Sequence, residues 1–303
     1  YRLPNVTSGE NFRIEEGGRL GELWGYKYNG FYTIYDENTN PNGDLVFNGS
    51  NWVLREGVKD KSYNLTGGQL APGGMKVICD ADGNPIKMRL GNTLPTTTGG
   101  FGFDGSLNTK GGNIDFNLFF NYSLGNKIVN GTKLANSFFK DTRPRQNLVS
   151  DFNVGNRYTG IDPVTGDVLV SRAGATSQTI ITKYGGLENV IARLNEINAG
   201  ANIYNPATAT RMELTDNYVE NGNFLRLQNL TIGYTLPKNW VKLAYLSNVR
   251  IYFTAYNLFC ITSYSGYDPE VDSSSKTSPL SPGVDYATYP KSRSFVGGIN
   301  VTF

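Results

Sequence analysis

The stretch Asn113-Ile-Asp-Phe-Asn-Leu-Phe-Phe-Asn-Tyr122 alternates apolar and polar side chains almost without a break. Successive side chains of an extended chain point to opposite faces, so the apolar residues share one face and the polar residues share the other. Only Phe119 interrupts the pattern. Residues 101–108 alternate in the same way, and Lys110-Gly111-Gly112 joins the two runs as a short turn. This part of the chain predicts a β-hairpin with one apolar and one polar face.

Three further alternating runs lie in the last third of the chain. Residues 224–236 change phase at Gln228-Asn229, which predicts a β-bulge, and Pro237 ends the run. Residues 249–256 and 294–303 also alternate. An aromatic face near the N-terminus predicts one more strand, with the residues Trp24, Tyr26, Tyr28, Tyr32 and Ile34. We therefore expect about six strands of roughly 10–14 residues.

The lengths of these strands and of their connections favour a membrane barrel. Strands of globular proteins usually have about 5–6 residues, whereas a membrane-crossing strand needs about 9–11. The connections 110–112 and 237–248 are short, and the connections 36–98, 125–221 and 261–290 are long. Short turns at one end and long extracellular loops at the other are typical of outer-membrane barrels. The expected fold is thus an all-β, transmembrane antiparallel β-barrel.

A soluble β-sandwich or β-solenoid with one buried face gives the same alternation. The two possibilities differ in the polar face, which meets water in a sandwich and lines the lumen in a barrel. In the barrel, Asp115 and Arg250 point inward. Aromatic residues at the strand ends fit the girdles of a membrane barrel; they are Trp24, Tyr122, Phe224, Tyr256 and Phe259. Within the long middle connection, residues 186–194 have the apolar spacing of a short helix, with Gly200 past its end.

The composition excludes several classes of function. The absence of His removes the Ser-His-Asp and Cys-His nucleophile systems and every His metal site. Two Cys are too few for a disulfide scaffold or a four-Cys zinc site. Lys and Arg (28) and Asp and Glu (26) are well mixed, without the basic stripe of nucleic-acid binders. We expect no enzyme, no catalytic residues, no cofactor and no metal site. The N-terminal Tyr1-Arg2-Leu3-Pro4 has no signal-peptide pattern, so we expect a mature or partial chain.

Several separated motifs resemble one known family, the SusC/RagA-like TonB-dependent outer-membrane transporters of Bacteroidetes. The motifs follow one another in the family's order and span nearly the whole chain. The late strand Gly222-Asn-Phe-Leu-Arg-Leu-Gln-Asn-Leu-Thr-Ile-Gly-Tyr-Thr-Leu-Pro237 is especially similar. The other matching segments are residues 21–32, 80–84, 91–95, 256–259, 266–271 and 289–294, and the terminal Phe303.

The resemblance implies a 22-stranded barrel closed by an N-terminal plug. Residues 1–303 would be the C-terminal segment of that barrel, and the plug domain and TonB box would not be in this chain. The implied function is import of oligosaccharides or oligopeptides across the outer membrane of a Gram-negative bacterium. The implied partners are a SusD-like lipoprotein lid, TonB, the remainder of the transporter and membrane lipid, with a dimer of such pairs as a further arrangement. The alternative function is a secreted soluble β protein that binds or degrades polysaccharide.

Two groups of residues are candidates for functional contacts. Residues of the connection 261–290 are expected to touch the substrate or the lid; they are Tyr264, Tyr267, Asp268, Glu270, Tyr286 and Tyr289. The two carboxylates also allow a general acid/base role, and the tyrosines also fit an aromatic girdle. Four apolar residues of the last strand fit capture by the barrel-assembly machinery through strand pairing; they are Phe295, Ile299, Val301 and Phe303. A strand that simply ends on Phe is the alternative.

Three smaller features remain open at this stage. The segment Asp80-Ala-Asp82-Gly83-Asn84 and residues 38–44 are either parts of Ca²⁺ loops or polar turns, and both lack the later Glu of an EF-hand. Cys79 and Cys260 either pair in an oxidising compartment or stay free.

Overall fold

The computed structural model describes residues 11–67, 70–139, 147–270, 272–273 and 280–303, which divide into two compact units. The sheet unit comprises residues 92–129 and 220–303, and the loop unit comprises residues 11–91 and 130–219. The first ten residues, on which the signal-peptide expectation depends, lie outside the described residues, as does Val271 of the motif 266–271.

Strands outnumber helices among the described residues. The strands are β1 (Phe12–Arg13), β2 (Glu22–Gly25), β3 (Tyr28–Phe31), β4 (Leu45–Phe47), β5 (Trp52–Leu54), β6 (Met75–Val77), β7 (Met88–Asn92), β8 (Thr97–Thr109), β9 (Gly112–Leu124), β10 (Lys127–Asn130), β11 (Val219–Asn221), β12 (Phe224–Thr235), β13 (Asn248–Thr262), β14 (Val284–Asp285) and β15 (Ser294–Thr302). The helices are α1 (Gly131–Ala135), α2 (Gln178–Lys183), α3 (Leu187–Ile197) and α4 (Lys238–Lys242). Among the described residues, no helix is both long enough and apolar enough to cross a membrane.

The five longest strands form one antiparallel sheet in the order β15-β13-β12-β9-β8. In that order they contain 9, 15, 12, 13 and 13 residues, which matches the length of membrane-crossing strands. The hairpin predicted from the sequence is confirmed, because Thr109 pairs with Gly112 across the two-residue turn Lys110-Gly111. The expected all-β antiparallel fold is therefore present in the sheet unit.

The predicted β-bulge in β12 is confirmed. The pairing of β12 shifts register between Leu227 and Asn229. Gln228 is the extra residue against β9, and it lies opposite two residues of β13, Asn257 and Leu258. An extra residue reverses the parity of the side chains beyond it. Leu227 consequently pairs with Phe120, while Asn229 pairs with the adjacent Phe119. Phe119, which interrupts the alternation of β9, therefore lies opposite Asn229 on the polar face.

Both short connections lie at the same end of the sheet. The turn Lys110-Gly111 joins β8 to β9, and residues 236–247, which contain α4, join β12 to β13. At the opposite end, residues 125–223 separate β9 from β12, and residues 263–293 separate β13 from β15. The predicted asymmetry of the connections is confirmed, but α4 was not expected. Residues 36–98 are not one loop, because they contain β4 to β7.

The expected long strand near the N-terminus is wrong. This segment forms the short strands β2 and β3, which pair in different small sheets. Gly30 has a φ of +80°, and the pairing of β3 with β6 shifts register between Tyr28 and Phe31. Tyr32 and Ile34 are buried in the core of the loop unit. The aromatic alternation therefore reflects a buried core rather than a membrane-crossing strand.

The girdle assignment needs correction at three positions. Trp24 lies in β2 outside the long sheet, with the Arg13 guanidinium 4.5 Å from its ring centroid. Phe224 begins β12 but is buried. Tyr256 pairs with Asn229 on the polar face. The two remaining candidates, Tyr122 and Phe259, pair with Leu225 and Leu227 on the apolar face toward the long-connection end of the sheet.

The loop unit folds around an aromatic and aliphatic core. Trp52 is buried beside Leu45 and Leu169, and its indole N–H donates to the hydroxyl of Thr176 at 3.1 Å. Helix α3 closes one side of this core with its apolar stripe, of which Leu194 is fully buried. The helix predicted over residues 186–194 is therefore confirmed, and it extends to Ile197.

A buried ion pair attaches α3 to the neighbouring loop. The Arg193 guanidinium donates to both carboxylate oxygens of Asp162, at 2.7 and 2.9 Å, and the Asp162 side chain is almost fully buried. The backbone N–H groups of Val164 and Thr165 also donate to this carboxylate. Hydrogen bonding from Arg193 holds the pKa of Asp162 well below its ordinary value of 3.8. The interaction therefore stabilises the folded state when Asp162 is ionised.

We expect Asp162→Asn to loosen α3 in the full-length protein. Because the pKa of Asp162 is depressed in the folded state, its stabilisation is complete above pH 3.8 and is lost as the pH falls further. Hydrogen exchange with mass spectrometry should show faster exchange of the α3 amides in the variant at pH 7. Protection in the unmodified protein should start to fall as the pH drops below 3.8, after correction for the intrinsic exchange rate. Glu196→Gln, which removes only the exposed partner of Arg193, should change neither result.

Candidate functional site

One face of the long sheet is apolar and exposed across all five strands. Cross-strand pairs such as Leu230 with Leu118 and Ile251 with Ile299 keep the apolar residues on this face. Its exposed members include Phe103, Leu107, Ile114, Phe116, Ile232, Ile251, Phe253, Phe295, Ile299 and Val301. Soluble monomers rarely expose contiguous apolar patches larger than a few hundred Å². A face of this kind is the surface that a barrel presents to lipid.

The opposite face carries amides, hydroxyls and charged groups. Asn229 donates from its amide to the side-chain oxygen of Asn117 at 3.1 Å, and the hydroxyls of Thr231 and Thr254 are 2.9 Å apart. These contacts run from strand to strand across β9, β12 and β13. The two-faced pattern predicted from the sequence is therefore present in the side-chain contacts as well as in the register.

Asp115 and Arg250 both lie on the polar face, as expected, and they form an ion pair that reaches across β12. The guanidinium of Arg250 in β13 donates to both carboxylate oxygens of Asp115 in β9. Gly233 of β12 lies beneath this bridge. A Cβ at that position would lie 2.4 Å from Arg250 Nη2 and 2.6 Å from Asp115 Oδ1. The missing side chain of Gly233 thus makes room for the ion pair.

A buried ionic cluster lies on the polar side near the long-connection end of the sheet. Arg226 of β12 contacts Asp268 through Nη2 at 2.6 Å and Glu270 through Nε at 2.7 Å. Lys291 adds its ammonium to Glu270 at 2.9 Å and its backbone N–H to Asp268 at 3.1 Å. The beginning and the end of the connection between β13 and β15 are therefore attached to each other and to Arg226 of β12.

This cluster changes the interpretation of the candidate residue Asp268. Asp268 is only 2% exposed, and its carboxylate already accepts from Arg226 and from the backbone N–H of Glu270. A carboxylate held in this way fixes the loop and is not presented to a substrate or a lid. Sequence reasoning missed Arg226, although a charged residue between Leu225 and Leu227 was a signal for a buried partner.

The candidate tyrosines fall into two groups. Tyr264 is buried, and its hydroxyl donates to Asp285 Oδ2 at 2.7 Å. Burial, reinforced by this carboxylate, raises the pKa of Tyr264 well above its ordinary value. Tyr286 is half-buried, whereas Tyr267 and Tyr289 are 77% and 84% exposed. Only the last two are placed to touch another molecule freely.

The four candidates for strand capture share the exposed apolar side of the last strand. Phe295, Ile299 and Val301 lie in β15, and Phe303 follows directly after it; all four are exposed. Within the described residues, β15 pairs with β13 alone and forms an edge of the sheet. Its free edge has the geometry that strand pairing requires.

The acidic segments form tight polar turns. Asp80 accepts from the backbone N–H groups of Asp82 and Asn84, and these hydrogen bonds, led by that of Asn84, lower the pKa of Asp80. Asp36 accepts from the backbone in the same way. Among the described residues, no group of three His, Cys, Asp or Glu side chains is arranged to hold a metal ion. Cys79 and Cys260 are free thiols.

The loop unit contains a polar and aromatic cavity that the sequence did not reveal. Its volume is about 270 Å³, below the usual range for drug-sized ligands. Lys133 and Asp151 form an ion pair of 2.8 Å at its wall. The other lining residues include Tyr28, Phe152, Asn156, Asn202, Asn217 and Tyr218.

Long strands with one lipid-type face, one polar face and short turns at a single end define the wall of a transmembrane β-barrel. No protein family model matches the chain. It is 26% identical to the TonB-dependent receptor P3 of Formosa agariphila, over 96% of this chain and 23% of that protein. It is 34% identical to the TonB-dependent receptor SusC of Bacteroides thetaiotaomicron, over 30% of this chain and 8% of that protein.

The solved structure of the RagAB peptide transporter shares the fold. It covers 100% of this chain with 24% of its own, at a TM-score of 0.51 and 20% sequence identity. The resemblance found in the sequence is confirmed: the chain is a relative of SusC/RagA-like TonB-dependent transporters. It spans about a quarter of the length of the relatives that it matches over most of its residues. These relatives are named as receptors and not as enzymes, in agreement with the expectation from the sequence.

We expect Gly233→Ala to break the ion pair above β12. The new methyl group displaces the Arg250 guanidinium, and the free energy of unfolding should fall by about 1 kcal/mol, because the pair is only partly buried. Unfolding of the full-length protein in detergent measures this change. Gly297→Ala in β15 is the matched control, because its Cβ would meet nothing within 4 Å. In an Arg250→Met background the Gly233 substitution should cost much less, and an unchanged cost would contradict this role.

We expect Arg226→Met to release the connection between β13 and β15. The substitution leaves the buried carboxylate of Asp268 without its cation, at a cost of roughly 3–5 kcal/mol. Limited proteolysis of the full-length protein should then cleave within residues 263–293 at much lower protease concentrations. Adding Asp268→Asn to the variant should restore part of the resistance. Lys59→Met, which removes an exposed ion pair, should have no effect.

Proposed function

We propose that residues 1–303 form the C-terminal segment of the transmembrane barrel of a TonB-dependent importer, whose plug domain and TonB box lie outside this chain. The observation that carries the proposal is the two-faced sheet, with its exposed apolar face and the Asp115–Arg250 bridge on its polar face. In lipid, every backbone hydrogen-bonding group needs a partner. The edge strands β8 and β15 therefore require further strands of the same transporter.

The proposed activity is uptake of a nutrient, an oligosaccharide or an oligopeptide, across the outer membrane of a Gram-negative bacterium. The polar face lines the path of the cargo, and no catalytic group or cofactor takes part. The proposed partners are a SusD-like surface lipoprotein that acts as a lid and TonB, which supplies energy through the region absent from this chain. Two such transporter–lipoprotein pairs form the proposed dimer. Kinship with TonB-dependent receptors supports the proposed uptake and the role of TonB.

Tyr267 and Tyr289 are the residues we propose for contact with cargo or lid. Both are strongly exposed, and both flank the ionic cluster of Arg226, which holds their connection in place. A rigid tyrosine offers a large amphipathic face at a low cost in conformational entropy. A soluble polysaccharide-binding protein is disfavoured, because its apolar sheet face would need to be buried.

Deletion of the full-length gene in its native bacterium tests the function. We expect loss of growth and of uptake on one cargo class, either a glycan or a peptide mixture, with growth on monosaccharides and amino acids unaffected. Uptake should also stop when a protonophore collapses the energy supply. Unchanged uptake of every glycan and peptide mixture in the deletion strain would overturn the proposal.

The double variant Tyr267→Ala/Tyr289→Ala tests the contact residues. We expect it to reach the membrane at the normal level and to bind cargo or lipoprotein at least ten-fold more weakly, because aromatic anchors dominate such contacts. Binding is measured on the purified full-length protein. Tyr245→Ala at the opposite end of the sheet is the matched control and should bind normally. Equal affinity of the double variant and the control would remove these tyrosines from the site.

A further inference from the structure

The short-turn end of the sheet unit carries apolar and aromatic side chains that nothing in this unit covers. Trp240, Leu243 and Tyr245 follow β12 and are 60%, 83% and 94% exposed. Val241 is buried and holds the short helix α4 against the sheet. The exposed side chains therefore project from a fixed support rather than from a loose loop.

The backbone conformation of Tyr245 independently indicates that this side chain has a function. The N–H of Leu246 donates to the carbonyl of Val241, and the N–H of Tyr245 donates to that of Lys242, both at 3.1 Å. This pair of bonds is the Schellman motif that ends many helices, in which Gly usually takes the left-handed position. Here Tyr245 takes it, with a φ of 59°. A bulky residue in this conformation is strained, so its side chain is retained at a cost to stability.

The same end of the sheet is purely cationic. Lys110 lies in the turn between β8 and β9, and Lys238 and Lys242 lie in α4; all three are exposed. Residues 105–114, 234–249 and 295–303 contain no Asp or Glu. The whole chain has a net charge of only +2, so three uncompensated lysines at one end are a marked asymmetry.

The two connections are neighbours. The Tyr234 hydroxyl of β12 donates to the carbonyl of Gly111, and Gly112 lies directly against the carbonyl of Thr235. We call residues 109–112 and 236–247 the cationic rim. It continues the exposed apolar face, because Leu107, Ile114 and Val301 lie in the last rows before it. Aromatic residues and lysines at the edge of a lipid-facing surface are suited to the headgroup region of a membrane.

We propose that the cationic rim is a binding site for anionic phospholipid headgroups in the inner leaflet of the outer membrane. The lysine ammonium groups pair with headgroup phosphates, while Trp240, Leu243 and Tyr245 enter the boundary with the acyl chains. Short turns of outer-membrane barrels face the periplasm, which assigns the rim to that leaflet. The inference rests on the sheet spanning the membrane but not on the cargo or the lid of the proposed importer.

Native mass spectrometry of the full-length protein tests the site. The protein is released from nanodiscs of phosphatidylcholine that contain a minority of phosphatidylglycerol. The triple variant Lys110→Gln/Lys238→Gln/Lys242→Gln should retain phosphatidylglycerol about 100-fold more weakly, or about five-fold for each lysine, with phosphatidylcholine unaffected. The matched control is Lys27→Gln/Lys59→Gln/Lys61→Gln, three exposed lysines of the loop unit, which should bind like the unmodified protein.

A second variant separates binding from folding. Tyr245→Gly places Gly where the left-handed backbone favours it, so the melting temperature should stay the same or rise. Retention of phosphatidylglycerol should nevertheless fall several-fold, because an interfacial aromatic is lost. Unchanged retention in the lysine variant, an equal loss of both lipids, or unchanged retention in Tyr245→Gly would each overturn the proposal. Uptake assays are not needed, so failure here is distinguishable from failure of the proposed importer.

Discussion

The sheet unit depends on one constraint, the period of two residues that separates the faces of a β-strand. Each of the five long strands must keep its apolar residues on the same side as those of its neighbours. The pairing of Leu230 with Leu118 and of Ile251 with Ile299 satisfies this condition across the sheet. The apolar residues of β12 change from odd to even positions in the sequence at Gln228, and the bulge there keeps them on one face of the sheet. The Asp115–Arg250 bridge, the glycine beneath it and the ionic cluster of Arg226 all occupy the polar side that this register creates.

Much of the sheet was predictable, because its pattern is local. The alternation from Asn113 to Tyr122, the turn at Lys110-Gly111 and the phase change at Gln228 appear in the sequence within a few residues of the structural feature that they cause. The helix around Leu194 was predictable for the same reason, since helical spacing is also a local pattern.

The loop unit was not predictable from such patterns, because long-range contacts determine it. Tyr32 and Trp52 pack with Val190 and Leu194, which follow more than 130 residues later, and no short pattern records this. The same limit applies to the candidate site. The Asp268 carboxylate looked available in the sequence, whereas its partner Arg226 is 42 residues away. Alternating aromatic residues such as Tyr32 and Ile34 fit a buried core as well as a long strand, and the core was the correct assignment.

The bulge at Gln228 also bears on how such a chain tolerates changes of length. Deleting Gln228 would remove only the residue that has no partner in β9 and would keep Leu227 and Leu230 on the apolar side, whereas deleting a paired residue such as Asn117 would turn one end of β9 to the opposite face. A deletion of one residue in residues 125–223 moves no strand of the long sheet out of phase, because β9 ends before this range and β12 begins after it. The sheet register therefore confines changes of length to the bulge and to the connections, because only there do the two faces of the long strands stay unchanged.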